Sequence, residues 1–158
     1  MTPRRVRRVR LVAVQGAAIA VAAIFLVLGV AGFTPGITAG LDGMPWHGHH
    51  PDGSAATVFG VFAVSVAHNL LHLGFGVAGL VLARSFGGAR AYLLGGGVIY
   101  LGLWLYGLFD ADLRESLPLN ASDDWLHFGV GVVMLVLGLT LGATRVPTGA
   151  DGEILVPE

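Results

Sequence analysis

Long apolar stretches occupy residues 11–33, 57–83, 91–109 and 125–143, with short polar segments between them. None of the four alternates polar and apolar positions, as lipid-facing barrel strands do. Helices are the other way to satisfy backbone groups in lipid, and roughly 20 apolar helical residues cross a ~30 Å hydrocarbon core. The pattern therefore predicts an all-α fold of four transmembrane helices. Turn chemistry marks the boundaries: Thr34-Pro35-Gly36, Pro45, Pro51-Asp52-Gly53, Gly87-Gly88 and Pro118-Leu119-Asn120. Residues 1–10 form a basic N-terminus, 11–143 the membrane domain, and 144–158 a tail with no helical period, read as disordered.

The second stretch is long for one span, and an internal echo shortens it. Leu71-His72-Leu73-Gly74-Phe75-Gly76-Val77 and Leu126-His127-Phe128-Gly129-Val130-Gly131-Val132 share the pattern L-H-x-G-x-G-V, and each continues to an L-V-L, Leu80-Val81-Leu82 and Leu135-Val136-Leu137. Two spans apart, these segments must run in the same direction, as a direct repeat also requires. The echo suggests a duplicated helical hairpin, spans one and two against spans three and four. Spans one and three add nothing, since Gly32-Phe33 against Leu108-Phe109 carries no weight. With His72 and His127 at equal depth, the crossing part of span two is about 66–84, and 55–65 becomes an outer extension. Counting inward from Arg84 and Arg145 instead sets His68 level with His127, about one turn or ~5–6 Å different.

Composition agrees with a membrane protein: 54% hydrophobic and 12% charged residues, with a mean hydropathy of +0.76. Charge placement adds direction. Arg4, Arg5, Arg7, Arg8, Arg10, Arg84, Arg90 and Arg145 fall on one side, and Arg114 alone on the other. Arginine excess marks the cytoplasmic face. Both termini are expected in the cytoplasm of a bacterial plasma membrane, with loops 34–54 and 110–124 outside. The N-terminus resembles a signal peptide, but its apolar core exceeds the usual length of roughly 7–15 residues, so an uncleaved first helix is expected. The basic N-terminus serves topology and anionic-lipid contact, and nothing points to nucleic acid.

Cysteine is absent, which excludes disulfides and thiolate chemistry. The notable polar groups are His68, Asn69 and His72 on span two, and Asp123, Asp124 and His127 on span four. His68 and His72 share one helix face, as do Asp123 and His127. Small residues continue below them, Gly76, Gly79 and Ala83 on span two and Gly131, Gly138 and Gly142 on span four, the spacing that lets helices approach closely. One reading is a polar clasp between helices two and four, with Asp123 or Ser122 capping helix four. A second is a transition-metal set of His68, His72, Asp123 and His127, or a bis-histidine haem. A third is a proton-linked role, set by the histidine pKa of ~6.5. His47, His49 and His50 form a weak metal candidate in a loop with no fixed geometry. Tyr92 is expected at the inner interface, Trp104, Tyr106 and Trp125 at the outer one, and Tyr100 in packing. Gln15 is expected to reach headgroups. Gly95-Gly96-Gly97 follows no strand and lacks a P-loop lysine, so phosphate binding is not expected.

The runs Val66-Ala67-His68-Asn69-Leu70-Leu71-His72 and Asp124-Trp125-Leu126-His127, with Ala89-Arg90-Ala91-Tyr92-Leu93-Leu94 between them, resemble the bacterial membrane family known as domain of unknown function 4383. The likeness covers roughly residues 11–141. It implies a small four-helix membrane protein and no assigned activity. The histidine-rich first loop departs from the family pattern. Together these readings lead to a non-catalytic membrane protein, an accessory or assembly subunit or a homo-oligomer. The alternatives are a metal- or haem-binding redox protein and a small oligomeric proton-linked transporter.

Overall fold

A computed structural model describes residues 12–48, 54–109 and 119–141. The basic N-terminus, His49, His50, Asp110, Arg114 and the C-terminal tail lie outside the described residues. The protein is mostly helical: α1 (Ala13–Ala31), α2 (Val66–Leu82), α3 (Phe86–Phe109) and α4 (Ala121–Thr140). Three of them, α1, α3 and α4, are long and apolar enough to cross a membrane, while α2 has 17 residues.

The all-α expectation needs one correction. Residues within the predicted second span form strands, β2 (Ala56–Val58) and β3 (Phe62–Val64), which with β1 (Thr38–Ala39) make a small antiparallel sheet in the order β1-β2-β3. The second helix starts at Val66, where the His72/His127 echo sets it, and not at residue 57, where the apolar run begins. The hairpin between β2 and β3 turns on Phe59 and Gly60, both with positive φ (55° and 70°). A tight turn of this hand suits the strand twist, and it stops the apolar run from winding into helix. Ala56, Val58 and Val64 close over Ala31 and Met44 to form a small core on the end of α1. Thr38 Oγ1 donates to the Ala31 carbonyl at 2.8 Å, and Thr34 Oγ1 to the Val30 carbonyl at 2.8 Å. Carbonyls that the helix end leaves open are thereby satisfied.

Gly87 and Gly88, expected to break the chain, lie in the first turn of α3, which begins at Phe86 rather than 91. Ser85 Oγ accepts from Gly88 N at 3.0 Å. A Cβ at Gly88 would strike the Leu82 carbonyl, so this glycine lets α2 turn directly into α3. Likewise α4 begins at Ala121, four residues before the predicted 125, and ends at Thr140.

The helices associate chiefly as two antiparallel pairs, α1 with α2 and α3 with α4. Missing side chains set the approach in each. Leu26 fills the space over Gly76 and Leu101 the space over Gly131, while Leu73 lies on Gly29 and Leu135 on Gly97. Between the pairs sits an aromatic core: Phe25 meets Tyr100 at 5.2 Å and Phe75 at 4.8 Å, and Phe75 meets Tyr92 at 4.9 Å. Tyr92 is thus buried against Gly79 and does not project from the helix surface as a belt residue would. Gln15 is also engaged: its Nε2 donates to the Ala83 carbonyl at 2.9 Å, joining α1 to the end of α2. The outward faces of all four helices remain apolar, with Val27, Leu71, Val98 and Leu139 more than half exposed. Such a belt is costly in water and neutral in lipid.

Candidate functional site

The six polar residues singled out in the sequence divide into two groups. His68, His72, Asp123 and His127 line a common cavity of about 30 Å³ beneath the sheet, together with Phe25 and Tyr100. That is room for a water-sized occupant. Asn69 and Asp124 do not join them. Asn69, fully buried, lies on Gly32 of α1, and Asp124 lies on Gly107 of α3. Each therefore sits inside its own helix pair. The cause is helical geometry: consecutive residues differ by roughly 100° around the axis, so Asn69 turns away from His68 and Asp124 away from Asp123.

Both helices enter the site through a side-chain cap. Ser65 Oγ accepts from His68 N at 3.2 Å at the start of α2. Asn120 Oδ1 accepts from Ser122 N at 2.8 Å and Asp123 N at 3.0 Å at the start of α4. The cap of α4 is therefore Asn120, not Asp123 or Ser122. Asp123 completes it reciprocally, Oδ2 accepting from Asn120 N at 2.9 Å. The same Oδ2 accepts from Ala63 N at 3.1 Å, and Asn120 Nδ2 donates to the Val61 carbonyl at 2.7 Å. The β2–β3 hairpin is thus fastened to the start of α4 through Asp123 and Asn120.

The histidines pack on aromatic rings. His72 lies 5.6 Å from Phe25, His127 lies 5.3 Å from Tyr100, and His68 lies 4.5 Å from His72 and 6.4 Å from His127. The Nδ1 atoms of His72 and His127 are buried without a hydrogen-bond partner. Among the described residues, no three His, Cys, Asp or Glu side chains stand in an arrangement that holds a metal ion. Trp104 stacks on Phe128 at 4.7 Å, and Trp125 is exposed, as an interfacial residue would be. His47 is exposed and borders a second, larger cavity against α2 and α3.

Sequence reasoning missed Phe25, Ser65, Asn120, Gly32 and Gly107, and left Tyr100 as packing. Ser65 and Asn120 carried a signal, each being a preferred capping type three residues before the paired polar position.

Three helices long and apolar enough to cross a membrane, with a belt of lipid-compatible surface, are the features of a helical membrane protein. Its residues 15–140 match the family described as a domain of unknown function, DUF4383, and the chain belongs to that family. No curated protein and no solved structure matches it.

Proposed function

We propose that this is a non-catalytic protein of the bacterial plasma membrane, an accessory or assembly subunit, with both termini in the cytoplasm. The arginine distribution supports that orientation, and it puts the sheet and the His/Asp cluster on the outer side. The polar groups are engaged in holding the outer end together: Asp123 is bound by two backbone amides, and the imidazoles lie against Phe25 and Tyr100.

The observation that carries the accessory role is Phe59. It holds a positive φ, uncommon and strained for a bulky residue, at the hairpin tip and is 61% exposed. A strained apolar side chain that adds nothing to the interior suits a docking point for a partner subunit or a second copy. The test is co-purification from native membranes in mild detergent. A stoichiometric companion is expected, lost from Phe59→Ser. A chain that runs alone as a monomer in both forms would refute the role.

Duplication of a hairpin is supported by contacts that recur with one constant offset from α1 to α3 and another from α2 to α4. Gly32 with Asn69 is matched by Gly107 with Asp124, Leu26 with Gly76 by Leu101 with Gly131, and Phe25 with His72 by Tyr100 with His127. The metal or haem reading has less support: the four candidate ligands share a cavity, but among the described residues no three of them stand as a metal would require. The transporter reading has less still, since the polar groups lie at one end and the helices below are apolar.

A further inference from the structure

Beside the small cavity lies one of about 190 Å³, mostly apolar in its surface, walled by α2 and α3 and closed by His47, Ser65, Leu119 and His127 of α4. Leu71 and Ile99 stand at its rim, 66% and 55% exposed on the lateral surface. The mouth therefore opens sideways, where lipid would be, toward the outer end of the helices. Its inner wall holds Phe75, Tyr100, His72 and His127. An apolar cavity of about 150 Å³ holds a benzene ring, so this one takes a substituted six-membered ring.

Two facts restrict the occupant further. His127 is only 4% exposed, and its Nδ1 and that of His72 have no partner. A buried polar atom without a partner costs about 1–3 kcal/mol. His72 and His127 line this cavity as well as the smaller one, and an acyl chain would fill the volume and offer neither a hydrogen bond. A ring carrying carbonyl or hydroxyl oxygens would remove that cost. A neutral imidazole has one donor and one acceptor nitrogen, and either tautomer is accessible, so it serves a carbonyl by donating or a hydroxyl by accepting. We infer that this cavity binds the headgroup of a membrane-soluble quinone or quinol, with the ring between α2 and α3, its oxygens on His127 and His72, and its tail in the bilayer.

This goes beyond the accessory role and rests only on membrane placement, which cysteine labelling tests separately. The full chain in lipid nanodiscs is titrated calorimetrically with a decyl-substituted benzoquinone, and with decylbenzene as a probe lacking oxygens. Saturable quinone binding is expected, at least tenfold tighter than decylbenzene. His127→Leu should weaken it about tenfold, the effect of ~1.4 kcal/mol. Ile99→Trp, a substitution at a lipid-facing position, should weaken it by narrowing the mouth, and it serves if His127→Leu does not fold. Absence of saturable binding by the folded parent chain would overturn the inference. So would equal binding of decylbenzene, which would mark an acyl-chain site, or binding that neither substitution changes.

Discussion

The Asp123 carboxylate accepts the Ala63 amide at 3.1 Å while also accepting the amide of Asn120, so one oxygen joins strand β3 to the first turn of α4. Hydrogen bonds to an ionised acceptor are worth about 1.5–3 kcal/mol each. Asp123→Ala removes both and should therefore destabilise the protein by about 3–6 kcal/mol in detergent. Amide hydrogen exchange at Ala63 should accelerate by at least an order of magnitude. Unchanged exchange there would show that other contacts hold the sheet.

Gly32 and Gly107 are places where a side chain has no room, because Asn69 and Asp124 occupy it. Gly32→Ala and Gly107→Ala should each cost about 1–3 kcal/mol, the usual cost of overpacking. Shortening the opposing side chain should give part of this back. A thermal-denaturation cycle of Gly32→Ala with Asn69→Ala is expected to show coupling above about 0.5 kcal/mol. Additive losses would contradict the close approach of α1 and α2.

His72→Ala and His127→Ala each remove an imidazole from an aromatic ring, and those rings, Phe25 and Tyr100, touch one another. Each loss should be about 1 kcal/mol, typical of aromatic pairs. The double variant should fall short of the sum, measured by melting temperature in one detergent. Independent losses would mean the two helix pairs do not communicate through these rings.

Orientation is open to a direct test, because the chain has no cysteine of its own. An impermeant thiol reagent applied to intact spheroplasts should label Ser54→Cys and not Arg90→Cys. Inverted vesicles should give the opposite result. Labelling of Ser54→Cys from the cytoplasmic side would reverse the topology argued from the arginines.

The helical segments are legible in the sequence because long apolar runs leave lipid-exposed backbone few options. The beginning of α2 is legible too: the motif around His72 predicts a start near Val66, and Ser65 caps the helix there. The sheet is not, since strands of two and three residues are too short for a period of two to stand out from an apolar run. The cluster was only half legible. His68 and His72 at a four-residue spacing announce a shared face, but the faces of Asn69 and Asp124 depend on which helix lies beside them. Gly32 and Gly107 were hidden by numbers, for the chain has 25 glycines and nothing local separates these two from the rest.

The shortness of α2 has a consequence for the surrounding lipid. Its 17 residues span about 25 Å at ~1.5 Å per residue, less than the hydrocarbon core of a typical bilayer. Irregular backbone at membrane depth is tolerated only where protein shelters it, and here the first amides of α2 are received by the Pro45 and Trp46 carbonyls at 3.1 and 2.9 Å. In a bilayer that covers α1 and α3, the leaflet at the N-terminal end of α2 must dip toward this flank or squeeze the loop beside it. Acyl-chain length thereby becomes a variable to which the protein is mechanically sensitive. In lipids of increasing thickness, melting should be highest in the thinnest bilayer that still covers α1 and α3.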